Sequence, residues 1–222
     1  MMHKESPGRV LVTSGPTRAW LDRVRYIANT STGALGARIV EALIARDIPV
    51  KLIRGFGGES PSVKESSLLE EVEVAAIGDL IEQIQNLQEC DDIRAVVHAM
   101  AVLDYVPESA MDEKRSSSSE FWDIRLVRMI KVTALIRKLL PNACMVGFKL
   151  EAGVSEEELI SRASDSLNRY NLDLVVANDL DHVGPDSHEA IFVAPGGKIL
   201  HRASRKEEIA AKIAEFIVSR IS

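Results

Sequence analysis

Short apolar runs recur along this chain, each stopped by glycine, proline or a polar cluster and separated from the next by a segment of helical period. Arg9-Val10-Leu11-Val12-Thr13-Ser14 reads as a buried strand ending at Gly15-Pro16. From about Ser31 to Arg46, Leu35, Ile39, Val40, Leu43 and Ile44 fall on one helical face. Pro49–Arg54 is the next strand, closed by Gly55 and Gly57-Gly58, and Val72–Ala76 a third. A helix over Leu80–Leu87 leads to Ile93–Met100, apolar enough for a central strand. This β-α-β-α-β rhythm implies a parallel sheet with right-handed crossovers.

The second half continues the rhythm. Ala143–Phe148 and Asp173–Ala177 read as strands around a helix from Ser155 to about Tyr170. Ser155 with Glu158, and Ser204 with Glu207, have capping-box spacing at the starts of that helix and of the last one, which runs to about Ile221. Pro195-Gly196-Gly197 reads as the turn of a hairpin between Ala190–Val193 and Lys198–Leu200. Pro107–Glu120 is polar, includes Ser116–Ser119 and has no apolar period, so it is either a surface linker or an active-site flap. The expected fold is α/β: a Rossmann-like three-layer sandwich with a mostly parallel central sheet and a polar flap. It forms a single domain over residues 1–222.

Composition narrows the function classes. A net charge of -6 gives no field that attracts nucleic acid. The two cysteines, Cys90 and Cys144, make neither a disulfide framework nor a CxxC metal site, and Cys144 reads as a small core residue. Met1–Pro7 is polar, without the apolar stretch of a secretion signal. No run approaches the roughly 18 apolar residues that span a bilayer. The expectation is a reducing, cytoplasmic location, with neither membrane nor nucleic acid as partner.

Ligands of open α/β sheets bind beyond the carboxyl ends of the strands. Gly15-Pro16-Thr17, Ala101–Asp104, Phe148-Lys149 and Asn178-Asp179 should gather there. GxGxxG and the P-loop motif are both absent. Instead a helix opens with Asn29-Thr30-Ser31-Thr32-Gly33-Ala34-Leu35-Gly36, whose backbone N–H groups either receive a phosphate or form an ordinary cap with tight helix–sheet packing. Arg54 stands where an NAD enzyme needs a ribose-binding acid, which argues against an oxidoreductase. Asp104 either holds Mg²⁺, accepts from a substrate amide or caps a turn. Lys114 can neutralise a phosphate, although a lone loop lysine is more often solvated. His98, inside an apolar strand, reads as a satisfied core histidine rather than a ligand, and His182, His188 and His201 lack metal-ligand spacing.

Taken together, Val10–Thr17, Val24–Gly36, Ala99–Tyr105, Val146–Glu151 and Asp173–Asp179 resemble the phosphopantothenoylcysteine synthetase family, in order and over nearly the whole chain. The stand-alone form is the one resembled, because the flavin-dependent decarboxylase often fused ahead of it is missing. The resemblance implies a phosphopantothenate–cysteine ligase of coenzyme A biosynthesis. CTP or ATP, with Mg²⁺, activates the carboxylate of 4′-phosphopantothenate as an acyl nucleotide, and L-cysteine displaces the nucleotide to form an amide.

By position, the resemblance makes Asn29, Lys114 and Arg25 catalytic. It places Gly15, Thr17, Ser31, Gly33, Gly36, Phe148 and Asn178 around the nucleotide, and Asn29, Met100, Ala101 and Asp104 around the substrate, with no protein metal site. It also implies a homodimer in which each site is completed by the neighbouring subunit. Some positions depart from the bacterial pattern. Leu103 replaces Ala or Ser, Arg115 replaces Ile, Met129-Ile130 replaces Thr-Pro, and the 163–170 helix lacks the two lysines that fused enzymes direct at CTP. These departures leave the choice of nucleotide open. They also motivate a different reading, a nucleotide-binding regulatory or partner protein that kept the fold and lost the chemistry.

Overall fold

A computed structural model describes residues 8–63, 65–89, 92–184 and 187–221. The Met1–Pro7 segment and Cys90 lie outside the described residues. The elements are β1 (Arg9–Ser14), β2 (Arg18–Trp20), β3 (Tyr26–Ala28), α1 (Ala34–Ile44), β4 (Val50–Gly55), β5 (Leu69–Val74), α2 (Ile77–Gln85), β6 (Ile93–His98), β7 (Tyr105–Pro107), β8 (Leu126–Arg128), α3 (Val132–Leu139), β9 (Cys144–Glu151), α4 (Glu156–Tyr170), β10 (Leu174–Asp179), β11 (Ala190–Ala194), β12 (Lys198–Ala203) and α5 (Lys206–Ile221).

The main sheet has eight strands in the order β12-β11-β10-β9-β6-β1-β4-β5. Its pairings are parallel except β10 with β11 and β11 with β12, the last being the hairpin expected at Pro195–Gly197. From β1 the chain first winds outward through β4 and β5, then returns to β6 on the other side of β1. The gap between β1 and β6 is therefore the point where the winding reverses, the usual ligand crevice of such sheets.

Strands β1 and β6 read as unbroken apolar runs because both of their faces are covered. Val10 and Val12 join a core beneath α1 and α5, while Leu11 and Val96 join a second core beneath α2, α3 and α4. Three layers result, as expected.

The elements differ from expectation mainly at their ends. The third strand lies at Leu69–Val74, not Val72–Ala76, because the N–H groups of Ala75 and Ala76 donate to the Asp79 carboxylate and cap α2. Helix α2 consequently starts at Ile77, not Leu80. Strand β6 stops at His98, two residues before Met100. At α4, Ser155 Oγ accepts from the Glu158 N–H as the capping box demands, but the Glu158 carboxylate pairs with Arg162. At α5 the capping carboxylate is Glu208, which accepts from the Ser204 N–H at 3.0 Å. Glu207 was the expected partner, but the helix begins one residue later, at Lys206.

Helix α1 ends in a closure that normally recruits glycine. The Ile48 N–H donates to the Leu43 carbonyl at 3.2 Å and the Asp47 N–H to the Ile44 carbonyl at 2.9 Å, with Asp47 at φ 58°. A non-glycine residue in this left-handed region costs about 1 kcal/mol. Asp47→Gly should therefore raise stability by roughly 0.5–1 kcal/mol, read as a higher thermal midpoint.

Candidate active site

The end of β1 is stitched to the end of β6 beyond the regular ladder. Ala99 and Ala101 donate to the carbonyls of Thr13 and Gly15, and the Thr17 N–H donates to the Ala101 carbonyl. The buried Thr17 hydroxyl accepts from the Leu103 N–H at 3.1 Å. Thr17 and Ala101 thereby set the path of the 101–104 loop across the crevice.

Helix α1 starts at the mouth of the same crevice. Its cap, Gly33, has φ 76°, a conformation that side chains resist. This is why the helix begins at Ala34 rather than Ser31. A Cβ on Gly36 would lie 1.9 Å from Ser14 Oγ, so only glycine lets the helix settle on β1. Gly36→Ala gains up to about 1 kcal/mol of helix propensity but must displace Ser14, and the overpacking wins. A net loss of about 2 kcal/mol is expected in chemical denaturation. Gly15 and Gly33 pack against each other, with Gly58 and Glu59 of the loop after β4 closing the knot.

The mouth is polar. Ser31 Oγ and Thr32 Oγ1 accept from the N–H groups of Gly33 and Ala34, both at 3.3 Å. These are long, local bonds that an anion can replace. Two residues upstream, exposed Asn29 donates through Nδ2 to the Val102 carbonyl at 3.2 Å. That bond turns its amide over the 101–104 loop and leaves its second N–H and its oxygen for a ligand.

Across the crevice, on the α3–α4 side, lies a cavity of about 160 Å³. It brings Met100, Asp104 and Phe148 together, as expected for neighbouring ligand positions, and adds His98, Lys131 and Tyr170. Lys131, missed in the sequence, reaches Asp104 Oδ1 with its amine at 2.5 Å. The only sequence signal for it was a basic residue one position before a helix. Of the three roles open to Asp104, an ion pair with Lys131 takes the place of a simple turn cap.

His98 Nδ1 lies 2.6 Å from Thr13 Oγ1, and burial pushes its imidazole down to about 4, so the ring is neutral near pH 7. Its Nδ1 has the partner expected of a core histidine, and the ring also lines the cavity. Cys144, expected in the core, is half-buried and packs against its edge, where burial pushes its thiol up to about 12.

The remaining candidates divide between the flap and the far edge. Arg25 belongs to an assembly around Asp22, which is buried, and Lys114 precedes that assembly's flap member, Arg115. Asp22 Oδ1 accepts from the N–H groups of Val24 and Arg25, and Oδ2 from the Arg115 N–H and the Arg25 guanidinium. Burial alone would raise its pKa; the amides of Val24, Arg115 and Arg25 and the Arg25 charge outweigh it and hold the carboxyl below its usual value. Arg25 and Arg115 both lie over the Trp122 ring, at 5.3 and 5.2 Å. The Pro107–Glu120 segment, linker or flap, is thus anchored at Arg115, with Lys114 exposed beside the anchor and, among the described residues, in no ion pair. Asn178 is buried and donates to the Glu189 carbonyl at 2.7 Å, away from the residues that line the cavity. Arg54, which counted against NAD, is held by Glu71 and Glu73 of β5.

Fold and site together define a Rossmann-like α/β protein whose small-molecule crevice opens at the reversal point of its sheet. The chain belongs to the DNA/pantothenate metabolism flavoprotein C-terminal domain family, whose model matches residues 6–221. It is 36% identical over 90% of its length to the coenzyme A biosynthesis bifunctional protein CoaBC of Thermococcus kodakarensis, covering 48% of that protein. With the corresponding CoaBC of Methanocaldococcus jannaschii it shares 31% identity over 96% of its length, covering 51%. The chain therefore spans about half the length of these curated relatives. A solved DNA/pantothenate metabolism flavoprotein from Streptococcus pneumoniae superposes with a TM-score of 0.86 at 31% identity, covering 96% of this chain and 99% of that one.

Proposed function

We propose that the chain is a phosphopantothenate–cysteine ligase, forming a C–N bond in coenzyme A biosynthesis. The observation that carries this reading is the placement of Asn29 between the polar α1 mouth and the loop leading into the Asp104–Phe148 cavity. One crevice then has an anion-receiving end, an oriented amide and a cavity for a second ligand group. The names of the CoaBC relatives support the pathway.

In this reading the carboxylate of 4′-phosphopantothenate attacks the α-phosphorus of CTP or ATP, and pyrophosphate leaves. Charge gathers on the phosphates, and Lys114 and the α1 amides from Ser31 to Gly36 face it. Phe148, with Gly15 and Thr17 shaping the loop, serves the nucleotide side, while Asn178, spent on the Glu189 carbonyl, supports the β10 end from behind. Met100, Ala101 and Asp104 flank the substrate. The amine of L-cysteine then attacks the acyl carbon, and Asn29 donates to the developing oxyanion as the nucleoside monophosphate departs. Arg25 positions the flap. A Mg²⁺ would arrive on the triphosphate, and Asp104, the carboxylate that lines the cavity, is the protein oxygen ligand available to it there. When bound, the ion neutralises phosphate charge.

A homodimer suits the exposed apolar surface of two small antiparallel pairs outside the main sheet, β2 with β3 and β7 with β8, where Trp20, Tyr26, Tyr105 and Leu126 are 38%, 42%, 54% and 46% exposed. A cytoplasmic location follows from the same reading. The assay is pyrophosphate release with Mg²⁺ and CTP or ATP: it should need phosphopantothenate, and cysteine should complete turnover. Absence of any acyl nucleotide with either triphosphate rejects the ligase.

A further inference from the structure

Arg54 and Arg38, two of the arginines around the loop that follows β4, are neutralised by acids. Arg54 is spent on Glu71 and Glu73, and Arg38 on Glu41 and Glu59. Arg18 of β2 lies against the same loop and is held differently. Its guanidinium carbon sits 4.3 Å from the Tyr26 ring centroid and 4.2 Å from that of Phe56. Both flat faces are therefore covered, and the N–H edge is what remains. Among the described residues that edge meets no carboxylate and no other acceptor. The chain carries 33 acids against 27 lysines and arginines, so an arginine left without one stands out. One end of the edge lies over Gly57, where an added Cβ would be 3.3 Å from Arg18 Nη2. Gly57 has φ 76°. Phe56 and Gly58 beside it donate to the Val74 and Gly55 carbonyls, while the Gly57 N–H has no partner among the described residues.

The arginine is also close to the chemistry. Arg18 is the register partner of Ala28, the residue before Asn29. Gly58 packs against Gly15, and the Glu59 N–H donates to the Thr32 carbonyl at 2.8 Å. The Gly57–Glu59 loop therefore runs from the guanidinium to the mouth of α1. A planar donor edge, fixed by stacking and joined by a free backbone N–H, matches the oxygens of a phosphate dianion. We propose that Arg18, with the Gly57 N–H, seats a phosphate of the bound substrates and is a further binding residue of the reaction. This rests on the ligase reading and deepens it, since no phosphate donor named there comes from β2 or from the loop after β4. Two substrates bring that chemistry: the triphosphate, through the pyrophosphate that leaves, and 4′-phosphopantothenate. Because the edge is already aligned, little side-chain freedom is lost when the anion binds.

The test is calorimetric titration of the full chain with inorganic pyrophosphate in Mg²⁺ and, separately, with 4′-phosphopantothenate, for wild type, Arg18→Met, Arg18→Lys and Phe56→Leu. Melting temperatures are measured alongside. Arg18→Met keeps an apolar stem between the rings and removes the charge. It should weaken one of the two ligands about tenfold and leave the melting temperature unchanged. Arg18→Lys should recover about threefold of that loss, because it restores the charge without the fork. Phe56→Leu, which frees one face of the guanidinium, should cost about threefold. Weakened pyrophosphate assigns the seat to the triphosphate, and weakened phosphopantothenate assigns it to that substrate. If Arg18→Met binds both ligands as wild type does, the proposal is overturned. So it is if both ligands weaken together with a fall in melting temperature that Arg18→Lys does not reverse, the mark of a side chain that only rivets β2 and β3 to the loop. The ligase reading fails separately, when wild type makes no acyl nucleotide although its pyrophosphate binding still depends on Arg18.

Discussion

In the proposed ligase, Asn29→Ala should make acyl nucleotide and then stall. Pyrophosphate should appear in the first turnover at near the wild-type amount, while amide formation falls by about 10²–10³, the usual cost of losing one oriented donor at a developing oxyanion. The reason lies in one bond. Val102 takes one N–H of the Asn29 side chain and so aims the rest of the amide at the crevice. Alanine removes the donor without touching the core, because Asn29 is exposed. Rapid-quench analysis with labelled phosphopantothenate separates the two steps. Amide formation at the wild-type rate in this variant removes Asn29 from the chemistry, whatever becomes of the fold.

Asp22→Ala should release the flap and lower kcat by about 10²-fold, with a smaller effect on nucleotide binding, since a catalytic group displaced by about 1 Å commonly loses that much. Asp22 is a buried carboxylate that gathers three backbone N–H groups and the Arg25 guanidinium, and it is what ties Arg115 of the flap to the β2–β3 turn. Alanine leaves all of these donors without their acceptor. Limited proteolysis between residues 108 and 122 should accelerate in the variant. The pH dependence follows from the lowered pKa of Asp22. The carboxylate's contribution is fully present above the unfolded value of 3.8 and is lost as the pH falls through the lower folded value. The flap should therefore stay pinned across the neutral range and loosen only in strong acid. A variant with wild-type kcat and unchanged flap cleavage would show that the anchor does not govern turnover.

Much of the architecture was legible because burial on both faces leaves a periodic mark. The runs at Arg9–Ser14 and Ile93–His98 declared central strands, and the stripe through Ile39, Val40 and Leu43 declared α1. The Pro195–Gly197 turn declared the β11–β12 hairpin. Strands β2, β3, β7 and β8 escaped notice because each is three residues long, too short for alternation to show above background. Likewise the capping acid of α5 was misplaced by one residue, since Glu207 and Glu208 differ only in which of them the helix start puts in reach of Ser204.

The site divides along the same line. Residue types at the α1 mouth were readable, because Gly33 and Gly36 answer local demands, a positive φ and contact with Ser14. The pairings of Asp104 with Lys131, Asp22 with Arg115 and Thr13 with His98 were not, since they join residues 27, 93 and 85 positions apart. The sequence by itself determined which segments become strands and helices and which glycines sit at the helix mouth, because those properties depend on near neighbours and on burial. Only the tertiary structure decided the strand order that sets β1 beside β6, and with it the cavity and its partners, because long-range pairing energies leave no periodic trace along the chain.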